Sequence, residues 1–335
     1  MKKNSILILI IAFWSGCKPN DTVEELFIGF KKPTTFPAPT YPFQSNTVTK
    51  AGFALGRKLF YDGKLSRDGT ISCGSCHIQY SAFTHHGHRV SHGIDDLLGT
   101  RNTPPIQNMA WATSFFWDGG VHNLDMVPFN PISNPVEMDE TVANVITKLQ
   151  NDANYPALFQ QAFGSSEINS MRIMQALSQF MAMLISANSR YDQYINGATT
   201  ALNSQEIAGL ALFNANCATC HPAPLFTNNE FRNNGIDTTN DVGRYAISLN
   251  PADRFRFKVP SLRNIAKTPP YMHNGTVPSL EAAVAHYTAV QHSSTLDTAL
   301  QQNIPLTTAE QEQIIAFLNS LTDEEFIRNP DFSEQ

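Results

Sequence analysis

Two short units, Cys73-Gly74-Ser75-Cys76-His77 and Cys217-Ala218-Thr219-Cys220-His221, constrain this chain more than any other feature. Both read Cys-x-x-Cys-His. In such a unit the two thiols form thioethers with the vinyl groups of a haem, and the adjacent histidine reaches the iron from the same side. The two intervening residues span the distance between the vinyls. A redox dithiol would not need the histidine, and a zinc site would need a second cysteine pair nearby at suitable spacing. With five cysteines and ten histidines in 335 residues, chance supplies about 0.002 such units. Two units therefore predict two covalently attached c-type haems, on Cys73 and Cys76 with His77 as axial ligand, and on Cys217 and Cys220 with His221.

The fifth cysteine closes the count, leaving none for a disulfide. Met1-Lys2-Lys3 is a positive start, Ile6 to Trp14 is a nine-residue apolar run, and Ser15-Gly16 precede Cys17. That run is too short to cross a bilayer comfortably. The pattern resembles a bacterial lipoprotein signal over 1–17, with Cys17 lipidated, although Trp14 is an unusual residue for its place. The alternative is an ordinary secretory signal with an incidental cysteine. Both predict an exported, periplasmic protein, touching membrane only through an N-terminal lipid anchor.

The length suits two domains. Hydrophobic residues make up 42% and charged residues 16%, as in globular chains with sizeable cores. A net charge of -6, with no Lys/Arg cluster, argues against a nucleic-acid partner. It leaves docking to a redox protein open, because such encounters depend on local patches.

Residues 18–45 carry five prolines and no helical period, and are expected to be a tether. Phe53, Leu55, Leu59 and Phe60 predict a helix over Thr49 to Tyr61, ended by Asp62-Gly63. A long helix is expected from Ser165 to Tyr194, with Ile173, Ala176, Leu177, Phe180, Leu184 and Ile185 on one side. Asn203/Glu206 and Thr307/Glu310 read as capping boxes opening two further helices. The first brings Leu210 and Phe213 toward the second haem unit, and the second runs through Ile314, Ile315, Leu318 and Leu321. No alternating strand pattern appears. Gly56…Leu59-Phe60 and Gly209…Leu212-Phe213 form a weak internal echo ahead of the two units. The fold expected is mainly α: two cytochrome-c-like helical domains, 46–197 and 198–335, each with one haem.

Between the units, five segments resemble the bacterial di-haem cytochrome c peroxidase and MauG-like family. They are Gly56-Arg57-Lys58-Leu59-Phe60-Tyr61-Asp62, Thr100-Arg101-Asn102-Thr103-Pro104, Phe116-Trp117-Asp118-Gly119, Asn134-Pro135-Val136-Glu137-Met138 and Tyr271-Met272-His273-Asn274-Gly275. The resemblance covers about 46 to 325. It implies that the His77 haem meets peroxide and the His221 haem receives electrons. Trp117 matches a tryptophan between the haems, although alone it would read as a core aromatic. Glu137 matches a distal glutamate, which can move a proton between peroxide oxygens; alone it would read as a surface residue. Asn102, Thr268 and Pro270 match an inter-domain calcium site built from one side-chain amide oxygen and two carbonyls, a set suited to a hard cation. His273 matches a histidine near the second haem that contacts a propionate or serves packing. A homodimer is also allowed by the resemblance.

Three departures stand out. The family's distal histidine position is Ile94 here, with His85, His86, His88 and His92 nearby but off that position. The first iron is then open in every redox state, or His92 or a neighbour swings in as a replaceable cap. The position of the methionine ligand to the second haem is Tyr287, as in MauG-like proteins, with Met272 and His286 as alternatives. A phenolate would favour ferric iron. Val127 and Gly120 replace a glutamine and an arginine and make the distal pocket less polar. The function expected is reduction of hydrogen peroxide to water, with electrons from a small periplasmic donor of cytochrome c or cupredoxin type. The alternatives are peroxide-dependent oxidation of a partner protein in the MauG manner, and a non-enzymatic di-haem electron carrier.

Overall fold

A computed structural model describes residues 30–85, 87–236 and 240–335; the expected signal over 1–17 with Cys17, and His86, lie outside the described residues. The architecture is helical. The two strands, β1 (Phe231–Arg232) and β2 (Phe257–Lys258), are a two-residue antiparallel pair.

The first half holds α1 (Lys50–Tyr61), α2 (Cys73–Cys76), α3 (Phe129–Ser133), α4 (Val142–Gln150), α5 (Tyr155–Phe163) and α6 (Ser170–Ala182). Thr49 caps α1 by accepting the Gly52 N–H. Helices α1 and α6 cross closely because Gly56 has no side chain: a Cβ there would lie 1.9 Å from the Ala176 carbonyl. The second half holds α7 (Arg190–Ile195), α8 (Ser204–Asn216), α9 (Tyr245–Ser248), α10 (Leu280–His286) and α11 (Thr308–Ser320). Both expected capping boxes form, Asn203 with Glu206 and Thr307 with Glu310. Helices α8 and α11 repeat the close crossing, since a Cβ on Gly209 would lie 1.9 Å from the Gln313 carbonyl. The echo ahead of each haem unit is thus one packing device used twice: glycine admits the partner helix, and Phe60 or Phe213 fills the core beside it.

Two cores result. One gathers residues from Phe36 to Leu184 and takes in Phe326, Ile327 and Phe332 from the C-terminal end; the other runs from Tyr191 to Leu321. Within the second half, Arg263 grips Asp192 of α7 in a buried ion pair through two hydrogen bonds of 2.8 Å, and its guanidinium lies 4.8 Å from the Phe36 ring of the first core.

Two expectations need correction. The tether is not free from residue 30 onward: Phe36 and Tyr41 are buried. Phe36 meets Trp111 edge-on at 5.0 Å, and the Tyr41 hydroxyl donates to Asp125 at 2.6 Å. Aromatic burial holds this stretch despite its prolines. The long helix over Ser165 to Tyr194 is two helices with a break after Met183. In the break Ser186 N–H donates to the Asn108 side chain, and the Ala187 and Asn188 N–H groups donate to Asp323. Distant side chains take over the hydrogen bonds that a continuous helix would make.

Candidate functional site

The first Cys-x-x-Cys-His unit forms a single turn, in which His77 N–H donates to the Cys73 carbonyl at 2.9 Å. The His77 ring lies 6.4 Å from that of Phe60, and its Nδ1 is 2.7 Å from the Phe83 carbonyl. A carbonyl only accepts, so Nδ1 carries the proton and Nε2 keeps its lone pair, the state a metal-ligating histidine needs. Burial lowers the His77 pKa to about 4 and keeps the ring neutral. Loss of solvent pushes the Cys73 thiol up to about 12 and Cys76 to about 11. All four described cysteines are unpaired.

These residues face a cavity of about 1150 Å³. Phe60, Met109, Phe115, Leu177 and Met181 give it an apolar wall, with Glu137 on one flank and Trp117 and Lys258 at the seam between the halves. Lys258 Nζ is held on the Ser114 carbonyl at 2.7 Å. Burial lowers its pKa to about 8. It has no ion pair among the described residues, so the cavity presents a cation short of a partner. An apolar slot with a neutral histidine, two thiols and a spare cation fits a haem, which brings vinyl groups, iron and carboxylates.

Glu137 sits in the turn Asn134–Glu137, where the Asn134 amide donates to its carboxylate at 2.8 Å. Burial raises the Glu137 pKa and the Asn134 hydrogen bond opposes the rise. Ile94 N–H donates to the Glu137 carbonyl at 2.7 Å, and a Cβ on the preceding Gly93 would lie 2.2 Å from the Val136 carbonyl. Ile94 is fully buried. Ile94, where the resemblance implies a distal histidine, is thus tied by its backbone to the Glu137 turn, and its side chain is not among the described residues lining the cavity.

His77 is the one histidine lining the cavity among the described residues. His92 lies in a separate recess with His88, its Nδ1 bound to Asp96 at 2.7 Å. His88 stacks on His85 with ring centroids 5.0 Å apart. The His92 carbonyl lies 3.8 Å from Cys76 Sγ, and the recess meets the cavity along Arg89, Gly99 and Thr100, so His92 sits beside the first haem unit without lining the cavity. Val127 and Gly120 both line the cavity, as the loss of distal polarity requires.

At the seam, the Trp117 indole N–H donates to the Asn102 carbonyl at 2.7 Å. The next contacts form a reciprocal pair: Asn102 N–H donates to the His273 carbonyl, and Lys258 N–H to the Trp117 carbonyl, each at 2.7 Å. Arg101 bridges Asp118 and Asp241, each at 2.6 Å, joining two of the family-like segments to the second half. His273 is buried, stacked on Phe257 at 3.5 Å and edge-on to Trp117 at 6.4 Å. The Asn102 amide donates to the Pro270 carbonyl at 2.7 Å and the Met272 carbonyl at 3.2 Å. Asn102 and Pro270 therefore meet, but through a direct hydrogen bond. A cation there would need the amide turned so that its oxygen faces the carbonyls. The Thr268 hydroxyl is engaged with the Ile265 carbonyl at 3.1 Å.

The second unit repeats the first. His221 N–H donates to the Cys217 carbonyl at 2.9 Å, and His221 Nδ1 lies 3.0 Å from the Phe226 carbonyl. Burial lowers the His221 pKa to about 4 and raises the Cys217 thiol to about 12. The three candidate sixth ligands converge on Asn234. Its amide hydrogen-bonds Met272 Sδ at 3.2 Å and also reaches Tyr287, while its carbonyl accepts from His286 Nε2 at 2.8 Å. His286 is thus committed to the backbone. Tyr287 lies near Cys217 and Cys220, and burial raises its pKa against the pull of the Asn234 hydrogen bond.

The family profile described as di-haem cytochrome c peroxidase matches residues 50–200. MauG, the methylamine utilization protein of Methylorubrum extorquens, is 35% identical over 303 residues, covering 87% of this chain and 83% of its own length. Cytochrome c551 peroxidase of Nitrosomonas europaea is 34% identical over 301 residues, covering 88% and 86%. This chain belongs to the di-haem cytochrome c peroxidase family. It also resembles the crystal structure of a MauG-like protein associated with microbial copper homeostasis, with a TM-score of 0.84 and 33% identity over 91% of this chain and 98% of that one.

This is a family of oxidoreductases whose named peroxidases act on peroxide, and its membership implies two haems. Sequence reasoning missed Asn234 and Lys258. Lys258 follows Phe257 in an ordinary-looking run, and only the fold turns its amine toward the cavity. Arg101 and Asp118 carried a signal, since both lie in segments shared with the family.

Proposed function

We propose that this protein is an exported di-haem peroxidase that reduces hydrogen peroxide to water with electrons from a small redox protein. Cys73, Cys76 and His77 hold the peroxide-reacting haem. Cys217, Cys220, His221 and Tyr287 hold the electron-receiving haem in a second helical domain. One observation carries the reading: His77 faces a large cavity that no other described histidine lines, and a buried carboxyl stands on its flank.

A bound haem supplies an iron that accepts electrons and binds peroxide. The chain's own residues do the rest. Glu137, kept protonated to higher pH than an exposed glutamate, moves a proton between the peroxide oxygens while Asn134 fixes one of its carboxylate oxygens. At position 94 an isoleucine supplies no imidazole that could cap the iron. Trp117, anchored on Asn102, lies at the seam between the two sites. The balance is one peroxide, two electrons and two protons giving two waters. The test is electron paramagnetic resonance of the resting ferric protein together with peroxide consumption. One high-spin and one low-spin haem with turnover support the enzyme; two low-spin haems with no peroxide response support the carrier reading.

A second reading, peroxide-driven oxidation of a partner protein, is favoured by Tyr287, which resembles the MauG-like ligand, and by the missing distal histidine at position 94. Calcium at Asn102, Thr268 and Pro270, lipidation at Cys17, periplasmic location and a homodimer complete the proposal. Metal analysis before and after chelation tests the first of these.

A further inference from the structure

The surface around α9 is built unlike the rest of the seam. Ile247 is 48% exposed and Leu249 is 72% exposed. Leu249 ends α9 with φ 55° and ψ 10°, the left-handed position that glycine or asparagine usually takes. A leucine there is poorly placed for the backbone and leaves its side chain in water, so fold stability does not explain it. Three arginines, Arg244, Arg254 and Arg256, flank this region of a chain whose net charge is -6; Arg232 beyond them is paired with Glu230 and Asp297, and Lys258 turns into the cavity. Arg254 lies over the Tyr245 ring at 4.3 Å. Among the described residues neither Arg254 nor Arg256 has a carboxylate partner, while Asp253 lies near Arg244 at 3.8 Å.

The patch also has a short path inward. Arg244 Nη1 donates to the Asp118 carbonyl, one residue from Trp117, at 3.1 Å. Ile247 packs over Gly120, where a Cβ would lie 3.2 Å from its Cδ1. A side chain at 120, where the resemblance implies an arginine, would press Ile247 aside by a few tenths of an ångström. Phe257, adjoining Lys258, stacks on His273 at 3.5 Å.

We propose that α9 and its flanks, with Leu249 and Ile247 at the centre and Arg254 and Arg256 on the rim, dock a small acidic redox protein that feeds electrons into this chain near Trp117. An apolar centre with a charged rim suits a brief encounter: the charges speed approach and orient the partner, and the apolar contact brings the redox edges together. The positive rim on an acidic chain selects an acidic partner. This rests on the reading that a protein is the electron source.

The test uses the full chain carrying both haems, mixed in a stopped-flow instrument with a reduced acidic c-type cytochrome whose potential lies below that of the second haem, and separately with a reduced basic cytochrome of matched potential. No peroxide is present, so the result does not depend on turnover. The acidic cytochrome is expected to react faster at low salt, with a rate constant that falls as salt rises. Leu249→Asp and Arg254→Glu each lower it about tenfold. Leu249→Gly, which suits the backbone better, does the same without loss of folding. A faster basic cytochrome, or an unchanged rate in the three variants, overturns the proposal. Peroxide consumption with a small chemical reductant is measured beside it. Failure there overturns the peroxidase reading alone, and Leu249→Gly leaves that activity unchanged.

Discussion

Trp117 and His273 occupy the same position in two copies of one loop, and the two side chains meet edge to face at 6.4 Å. Phe115 bridges to Val121 in the first copy and Tyr271 to Val277 in the second. Phe116 and Met272 share a positive φ, as do Gly119 and Gly275, and upstream Asn108 and Asn264. Each loop's carbonyl, at 117 and 273, accepts an N–H from the other half, from Lys258 and Asn102. The seam is therefore a pseudo-symmetric exchange of hydrogen bonds, with the two aromatic rings at its centre.

Replacing Trp117 by Phe keeps the ring but removes the N–H that the Asn102 carbonyl accepts. Leaving that carbonyl unpaired is expected to cost about 1–3 kcal/mol, read as a lower denaturation midpoint. Under the proposed function, electron transfer between the haems also slows. Stopped-flow mixing of the half-reduced protein with peroxide measures this, and an unchanged rate would remove Trp117 from the electron path.

The buried Arg263–Asp192 pair makes a sharper stability prediction. Both side chains are almost fully buried, at 0% and 1% exposure, and Arg263 also lies 4.8 Å from the Phe36 ring. Asp192→Asn strands a buried guanidinium and is expected to cost about 3–5 kcal/mol. Despite the opposing cost of burial, Arg263 and Ser189 hold the Asp192 pKa below its ordinary value. Its contribution is present above the unfolded aspartate pKa and is lost as pH falls through the depressed folded value. Urea titrations between neutral and acid pH should show wild type and variant converging at the acid end.

The three candidate ligands around Asn234 separate by substitution. Tyr287→Phe should change the spectrum of the second haem alone, while Met272→Leu and His286→Gln leave its ligand signature intact. An effect of Met272→Leu equal to that expected for Tyr287→Phe would reassign the ligand.

Local signals survived translation into structure best. The Asn203/Glu206 and Thr307/Glu310 caps need only residues three apart, so they were legible. The Gly56 and Gly209 echo was visible, but its meaning needed Ala176 and Gln313, more than a hundred residues away in each case. The loop repeat around Trp117 and His273 stayed hidden because its identities are scattered single residues, Asn108/Asn264, Gly119/Gly275 and Val121/Val277, while the positions at the seam differ: Trp117 matches His273, and Asn102 matches Lys258. In the segment 30–45 the prolines masked Phe36 and Tyr41. The break before Ser189 was invisible because Asn108 and Asp323, which compete for those N–H groups, lie far off in sequence.

Glu137 gives the prediction that tests both chemistry and electrostatics. Glu137→Gln keeps the shape and the contact with Asn134 but cannot exchange a proton. Peroxide turnover is expected to fall about 10²–10⁴-fold, with both haems still attached. The stability effect has the opposite sign. Burial raises the Glu137 pKa in the folded chain, so the folded state holds the proton more tightly than the unfolded state. Its favourable contribution is complete below the unfolded glutamate pKa and is lost as pH rises through the folded value. Glutamine has no such loss. The variant should therefore match wild type in urea at acid pH and exceed it at neutral pH, while turning over more slowly throughout. A variant that is slower and also less stable at neutral pH would make Glu137 a structural hydrogen-bonding group instead of the proton carrier.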